Sequence, residues 1–275
     1  MAEADLLEVH EVNQAAFVAL DPDDDLPRPS GPALVRLRRI LETDPGGAWV
    51  AVRGGRIAGG ALGILREGVW GLSLLFVDPA DQSAGVGREL LRRARAYGDG
   101  ARGWIILASE DPRALRSYRR LGLDLHPCVR AHGVPRVPAG DDRARPGTPE
   151  DLPFTEAVDR AARGAAHGED ILAMIEAGHE WLVVPGRGYV LLRDGDVRLL
   201  AAFDEAGAQA VLRVALARLA EQGGPCGVDW ITARQQWAID PCLDAGLALS
   251  PRTGAVFLSG DVGPFAPYLP SGAYL

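Results

Sequence analysis

The chain has 275 residues, enough for one large domain or two of ordinary size, and it can bury a sizeable hydrophobic core. Its formal net charge of −8, from 29 basic and 37 acidic residues, argues against nonspecific nucleic-acid binding. No apolar stretch is long enough to span a membrane, the acidic residues 1–5 do not resemble a signal peptide, and the three cysteines are too scattered for a disulfide framework or a zinc site. We therefore expect a cytoplasmic protein with no metal, no nucleic-acid partner and no membrane partner.

The first half of the chain predicts alternating helices and strands. Apolar periodicity and turn residues predict a helix at 8–20, a proline-rich break at 21–32 and a basic helix at 33–41. A hairpin at 49–65, with Gly54 and Gly55 in its turn, leads to an apolar strand at 72–77. A helix from 86, a strand at 104–108, a helix between Asp111 and Gly122, and one or two strands at 123–134 complete this half.

The other predicted elements are organised around residues 72–91. The apolar strand stops at Asp78 and Pro79, and a glycine-containing turn then leads into an amphipathic helix. Such a layout collects free backbone N–H groups at a helix N-terminus, where a phosphate or pyrophosphate can bind. No Lys-Ser/Thr follows the glycines, so this is not a nucleotide P-loop. Leu90 occupies the third glycine position of the dinucleotide fingerprint, so that motif is excluded too.

Two motifs in this half resemble those of the GNAT superfamily of N-acetyltransferases. Gln82-x-x-Gly85-x-Gly87 is similar to the family's coenzyme A motif, (Gln/Arg)-x-x-Gly-x-(Gly/Ala). Tyr118-x-x-x-Gly122-Leu123 is similar to its Tyr-x-x-x-Gly-Phe motif, with Leu in place of Phe. Ala114 and Asp111 also stand where the family favours Ala and often has Asn.

The resemblance implies acetyl-CoA as cosubstrate and a role for each matching residue. Backbone N–H groups near Phe76 and Val77 would polarise the thioester carbonyl, at a point where the strand diverges from its neighbour. Those of residues 84–88 would hold the pyrophosphate, and Tyr118 would protonate the departing thiolate, since a phenol with a pKa of about 10 is protonated at neutral pH. The implied cofactor-binding set is Phe76, Val77, Gln82, Ser83, Ala84, Gly85, Val86, Gly87, Arg88, Asp111 and Tyr118.

The sequence departs from the family pattern in two ways. Ser83 and Ala84 stand where the family usually carries Arg or Lys, so the pyrophosphate would depend more on backbone amides and Arg88. No acid or histidine lies in the strand that commonly carries the general base. Glu110 is the candidate base and Glu67 an alternative, although each is more typical of a solvated loop acid. A water relay or an already neutral amine would need neither.

The second half repeats the order of elements. Residues 138–147 are a linker rich in proline, glycine and charge, which divides the chain into a domain at 1–137 and one at 148–275. The second copy lacks the motifs: Asp204 and Glu205 precede its central helix, where their charge would repel a pyrophosphate, and Cys242 stands in the tyrosine position. We interpret it as a degenerate copy with a structural or substrate-shaping role; an unfamiliar working site is the alternative.

Two further features of the second half are expected to contact other parts of the protein or solvent. One is a charged cluster that could bind a ligand or the other domain, although a solvated helix end is the favoured interpretation. The cluster comprises Asp159, Arg160, Arg163, His167, Glu169 and Asp170. The tail from Val262 has no charged side chain and is expected to pack on its own domain, across the domain junction, or on a second subunit as in a homodimer.

The sequence thus predicts an α/β (α+β) fold of two tandem GNAT-like domains, each a mixed, mostly antiparallel sheet flanked by helices. The predicted function is acetyl transfer from acetyl-CoA to a primary amine by direct attack. The alternative is a catalytically reduced acyl-CoA-binding or regulatory module. The acceptor, a small molecule or a peptide, is not specified, and the net negative charge favours a cationic amine only through long-range steering.

Overall fold

The computed structural model describes residues 1–20, 31–136, 143–251 and 254–275. Most of the predicted proline-rich break and residues 138–142 of the predicted linker lie outside this part of the chain. The first half contains α1 Leu6–Val18, α2 Gly31–Thr43, β1 Ala48–Arg53, β2 Arg56–Arg66, β3 Val69–Val77, α3 Val86–Tyr97, β4 Gly103–Ala108, α4 Pro112–Arg120, β5 Asp124–Pro127 and β6 Val129–Gly133.

The second half repeats this order after a short strand. It contains β7 Arg145–Pro146, α5 Leu152–Arg163, α6 Asp170–Glu176, β8 Glu180–Val184, β9 Gly188–Arg193, β10 Asp196–Ala202, α7 Glu205–Gln222, β11 Cys226–Ile231, α8 Ile239–Asp244, β12 Ala248–Ser250, β13 Ala255–Gly260 and β14 Tyr268–Leu269. A 3-10 turn over Ala233–Ala238 leads directly into α8, which is α-helical from Ile239.

The strands form two sheets with corresponding orders. The first is β1-β2-β3-β4-β13-β5, and the second is β12-β6-β11-β10-β9-β8-β7, with β14 beside β10. Among the strands of the described residues, the central pairs β3–β4 and β10–β11 are parallel and the other pairs are antiparallel. Two mixed, mostly antiparallel sheets flanked by helices confirm the predicted α/β fold.

The two halves exchange one strand each. β6, which precedes the predicted linker, lies between β11 and β12 in the second sheet, and β13 lies between β4 and β5 in the first. The predicted boundaries at 137 and 148 therefore separate the helices of the two halves but not their sheets. A local hydrophobic pattern specifies that a segment is a strand and which face is buried, but not which sheet it joins.

The halves also share one hydrophobic core. Buried side chains of α1, α2 and β3 belong to the same cluster as those of α5, β9 and the C-terminal tail. Leu275 is fully buried over Gly71 of β3, where any Cβ would overlap its side chain. Ser73 Oγ donates a hydrogen bond of 2.5 Å to the carbonyl of Ala273. The apolar tail thus packs across the domain junction, one of the three placements that we expected.

Within the described ranges, no helix has both the length and the apolar character that crossing a membrane requires.

Candidate functional site

A cavity of about 930 Å³ lies beside the carboxyl end of β3. It is bounded by α1, the turn after β3, the first turn of α3, and α4. All predicted site residues line this cavity except Val86 and Glu110; they are Phe76, Val77, Gln82, Ser83, Ala84, Gly85, Gly87, Arg88, Asp111 and Tyr118. Segments that are far apart in sequence therefore meet at one place in the fold.

The cavity begins where β3 and β4 diverge. The two strands pair only from Val69 with Gly103 to Leu72 with Ile106. At the same point the β2–β3 register shifts between Leu62 and Gly63, which leaves Ser73 as an extra residue on β3. The last residues of β3 therefore have an open edge on the side of β4.

The register of β3 determines which N–H groups face this open edge. Asp78 N–H bonds to Ala58 O on β2, and Phe76 is opposite Gly60. Because N–H groups alternate in direction along a strand, the Phe76 N–H also points to β2, whereas those of Leu75 and Val77 point into the gap. This corrects the expectation for the Phe76 N–H. The sequence predicts the strand here but not the phase of its hydrogen bonds.

The turn before α3 exposes a helix N-terminus without a side-chain cap. Gly85 is the N-cap at φ 84°, a conformation that favours glycine. The first hydrogen bond of the helix joins Glu89 N–H to Gly85 O, so the N–H groups of residues 86–88 precede it and have no partner in the described part of the chain. This arrangement can bind the oxygens of a phosphate.

Gln82 holds this turn in place from both sides. Its amide nitrogen donates to Val77 O at 3.3 Å, and its amide oxygen accepts from Arg113 at 2.5 Å. A Cβ at Gly87 would lie 3.2 Å from Val77 Cγ2, so the helix start packs closely on the strand end. The amides of the turn are therefore fixed relative to the open edge of β3.

Three arginines make the cavity mouth positive. Arg88, Arg116 and Arg120 line it, and in the described ranges none of them forms an ion pair. Arg116 and Arg120 are not among the predicted site residues, although their i, i+4 spacing on a predicted helix was the available signal. They supply charge that the Ser83 and Ala84 positions lack.

Tyr118 is directed into the cavity from α4. It is 5% exposed and makes an edge-to-face contact with Phe257 of β13, with ring centroids 5.4 Å apart. No described residue forms a hydrogen bond with its hydroxyl. Burial, with a smaller contribution from Asp111, raises the pKa of Tyr118 further above its ordinary value. The phenol is therefore protonated at neutral pH.

None of the candidate bases provides a free carboxylate in the cavity. Glu110 is exposed and does not line it. Glu67 forms an ion pair with Arg160 at 2.7 Å at the domain junction. Asp111 does line the cavity, but its carboxylate caps α4 through Arg113 N–H at 2.9 Å and pairs with the Arg113 guanidinium. The lining includes no histidine among the described residues.

In the second half, the strand edge and the helix N-terminus that are open in the first half are both occupied by the protein itself. Asp204 caps α7 and accepts from Gly207 N–H at 2.7 Å, so its own carboxylate occupies the helix N-terminus. β10 and β11 pair over only two residues and then diverge. The gap is filled by β14, which pairs with Leu200 and Ala201 of β10. Here a cofactor chain would compete with the protein's own backbone.

The second half also contributes to the cavity of the first. Trp230 and Gly272 line it. Trp230 has φ 63° at a register shift in β11. A positive φ is uncommon for a bulky residue and marks local backbone strain. Nothing in the sequence signals this conformation, because Trp230 lies within an ordinary apolar strand pattern.

Four residues of the charged cluster of the second half are buried at the domain junction, so for them the interpretation as a solvated helix end is wrong; they are Asp159, Arg163, His167 and Asp170. Arg160 and Glu169 are exposed. Asp170 is fully buried and pairs with Arg66 at 2.6 Å. Asp159 contacts His167 Nδ1 at 2.9 Å, and His167 Nε2 lies 3.0 Å from Leu275 O. Burial raises the pKa of the Asp159 carboxyl, but His167 and the Tyr189 hydroxyl lower it more. Local sequence patterns do not show that a second domain covers the cluster.

No group of three or more potential ligands that could hold a metal ion occurs among the described residues.

Comparisons with known proteins agree with this geometry. Residues 6–123 match the model of the Acetyltransferase (GNAT) family. No curated protein sequence matches the chain at a significant level.

Three solved structures share the fold over nearly the full chain. A proposed acetyltransferase from Pyrococcus horikoshii superposes with a TM-score of 0.81 at 16% identity, covering 100% of this chain and 93% of that one. A GCN5-related N-acetyltransferase from Sphaerobacter thermophilus gives 0.60 at 17% identity, covering 95% and 94%. A tandem GNAT protein from the clavulanic acid biosynthesis pathway gives 0.57 at 17% identity, covering 95% and 97%. At these identities the likeness establishes the tandem fold alone.

Proposed function

We propose that the chain, whose residues 6–123 match the model of the Acetyltransferase (GNAT) family, is an N-acetyltransferase. It moves the acetyl group of acetyl-CoA to a primary amine by direct attack. One observation carries the proposal: the first half has an open strand edge beside an uncapped helix N-terminus, and the second half has closed both.

The residues present fit a coenzyme A molecule. The pyrophosphate accepts hydrogen bonds from the N–H groups of residues 86–88, and Arg88, Arg116 and Arg120 complement its charge. The amide-containing arm of the coenzyme pairs with the open edge of β3 through Leu75 and Val77, as an added strand would. A thioester on this arm would lie toward the inner part of the cavity, which residues of α1, Ser73 and Tyr118 line.

Acetyl transfer requires a polarised carbonyl, a neutral amine and a protonated leaving group. A backbone N–H at the open edge of β3 donates to the thioester oxygen as negative charge develops there. The C–N bond forms, the C–S bond breaks, and Tyr118 donates its proton to the departing sulfur. The proton released from nitrogen passes to solvent, from which Tyr118 is reprotonated.

The amine enters in its neutral form. The only carboxylate among the described lining residues is that of Asp111, which caps α4 and pairs with Arg113. Such a carboxylate is a poor proton acceptor, so we assign no enzyme base. We also do not assign Glu110, which is exposed and outside the cavity.

Product analysis with matched variants tests this proposal. The protein is incubated with acetyl-CoA and a panel of primary amines, and thiol release and N-acetylated products are measured. Gly87→Glu places a carboxylate at the second residue of α3, whereas Ala206→Glu places one at the second residue of α7 and is the matched control. We expect acetylated product from the wild type and from Ala206→Glu, but not from Gly87→Glu.

The alternative function predicts a different result. If the protein binds acetyl-CoA at the first half but acetylates no amine in the panel, the acyl-CoA-binding module is the better description. Equal product formation by Gly87→Glu would move the reaction away from the cavity beside β3.

A further inference from the structure

A second cavity adjoins the first and is strongly cationic. It has a volume of about 260 Å³ and lies between α1 and α2 of the first half, the β9–β10 hairpin, and the C-terminal tail. Asn13, Arg36, Leu74 and Gly272 line both cavities. The smaller cavity is therefore continuous with the inner end of the larger one, where the proposed function places the thioester.

Unpartnered buried polar atoms concentrate around the smaller cavity. Eight such side-chain atoms occur in the described ranges, and four belong to residues that line it: His10 Nε2, Asn13 Oδ1, Arg36 Nε and Tyr274 Oη. Buried polar groups in folded proteins are almost always hydrogen-bonded, so four at one cavity indicate a polar ligand. The set includes a cationic donor, Arg36, and an acceptor, Asn13 Oδ1, on the wall that the cavities share.

Among the described residues, the charge balance of the smaller cavity leaves one positive charge unmatched. Arg36, Arg193 and Arg198 line it, and no acid does so in the described part of the chain. Arg193 pairs with Asp194 at 2.9 Å and Arg198 with Asp196 at 3.1 Å. Arg36 forms neither an ion pair nor a hydrogen bond with any described residue. A buried guanidinium is costly without an anion, and it stays charged at any physiological pH.

The two histidines at this cavity do not add to the charge. Burial and the neighbouring Arg36 lower the pKa of His10. Burial, together with Arg193, lowers the pKa of His179 to about 4. Both imidazoles are therefore neutral at pH 7, and Arg36 is the cation that a ligand meets.

We propose that the acetyl acceptor carries a carboxylate as well as its amine, as amino acids do. The carboxylate pairs with Arg36 in the smaller cavity, and the amine reaches the shared wall, where Asn13 Oδ1 accepts one of its N–H groups. A single unmatched charge suits a monoanionic carboxylate better than a dianionic phosphate. This inference rests on the proposed function, which it deepens by naming the substrate class.

A carboxylate-bearing acceptor differs from the cationic amine that the net charge of the protein favours. A total charge of −8 steers cations toward the protein at long range, but salt screens that field over about 10 Å. A guanidinium in contact with a carboxylate inside a cavity acts without that screening. The local charge at Arg36 therefore determines which acceptor is retained.

Matched binding experiments test the carboxylate. Calorimetry follows the binding of L-amino acids and ω-amino acids, each compared with its own amide, to the full-length protein with and without coenzyme A. We expect at least one acid to bind about tenfold or more tightly than its amide. Arg36→Gln should remove this difference, Arg36→Lys should keep part of it, and Arg38→Gln, an exposed position on the same helix, should keep all of it. A melting curve of each variant verifies folding.

Other results would overturn the inference. These are the absence of binding by any acid, equal binding of acids and amides, or a difference that survives Arg36→Gln. Tighter, Arg36-dependent binding of phosphoethanolamine than of every acid would replace the carboxylate by a phosphate. Product analysis separates the two claims. Equal acetylation of acids and amides would contradict the carboxylate-bearing acceptor but not the proposed transferase. Arg36-dependent binding of an acid without any acetylated product would contradict the proposed transferase.

Discussion

Leu269 of the C-terminal tail pairs with Leu200 of β10 and closes the gap between the central strands of the second sheet. The corresponding gap in the first sheet, beside Leu75 and Val77, is open. The two halves thus share a fold but differ at the point where a cofactor chain could join the sheet. We expect one acetyl-CoA site per chain.

Removing the Tyr118 hydroxyl should slow acetyl transfer without weakening coenzyme binding. Tyr118→Phe deletes the proton donor and keeps the aromatic contact with Phe257. We expect kcat to fall about 10²-fold, the lower end of the range for general acid catalysis. The acetyl-CoA dissociation constant should change less than about twofold, since pairing with the coenzyme does not use this hydroxyl. Initial-rate kinetics and calorimetry measure the two quantities.

Tyr97→Phe is the matched control for this variant. Tyr97 donates a hydrogen bond to Asp44 at 3.0 Å and does not line the cavity. Its loss should cost about 1 kcal/mol of the free energy of unfolding and leave kcat unchanged. Equal kcat in wild type and Tyr118→Phe would remove the proton-donor role.

The pH dependence of kcat/KM should follow the amine. With no enzyme base assigned, the rate depends on the neutral amine in solution and should rise about tenfold per pH unit below the pKa of that amine. Burial raises the pKa of Tyr118, so the donor remains protonated across this range and no alkaline decline should come from it. Profiles for two amines of different pKa check this. An inflection near pH 6 to 7 that is common to both would reveal an enzyme base.

The ion pairs of Asp170 should be important for stability. Its carboxylate is fully buried and contacts Arg66 at 2.6 Å and Arg39 at 3.2 Å, which joins α6 to the first half. Asp170→Asn removes the fully buried anion from both arginines, although Arg66 keeps its ion pair with Asp44 at 2.8 Å. The substitution should cost about 3 kcal/mol in urea unfolding, the lower end of the range for breaking a buried pair. Glu89→Gln, at an exposed helix position, should leave the free energy of unfolding nearly unchanged, because exposed ion pairs contribute little. Similar losses of unfolding free energy in Asp170→Asn and Glu89→Gln would contradict this prediction.

His179 should make the protein less stable in mild acid. Burial lowers its pKa to about 4, below the value of about 6.5 expected when unfolded. The unfolded chain then binds the proton more readily, so stability is full above pH 6.5 and falls as the pH drops toward 4. Between pH 7 and pH 5 this contribution is about 2 kcal/mol. Urea unfolding should show a weaker pH dependence in His179→Gln and an unchanged one in His132→Gln, an exposed position.

Much of the fold could be predicted because local patterns specify it. Apolar periodicity predicts α3 and β3, and Asp111 and Gly122 lie next to the ends of α4 as expected. The exchange of β6 and β13 could not be predicted, because strand pairing across 93 or more residues leaves no local signal.

The part of the candidate site that the two sequence motifs form could be predicted from the sequence. Gly85 and Gly87 are needed where a turn meets a helix start, and such requirements are visible in sequence. The free N–H groups of Leu75 and Val77 depend on hydrogen-bond phase, and the importance of Arg36 depends on the lack of a carboxylate among the described residues around it. Both are properties of the assembled structure.

Calorimetric titration of acetyl-CoA into the intact protein tests the central claim most directly. One site per chain, weakened at least about 10²-fold by Gly87→Glu and unchanged by Ala206→Glu, is the predicted result. Two sites per chain, or binding that survives Gly87→Glu but is lost in Ala206→Glu, would contradict the assignment of the coenzyme to the first half.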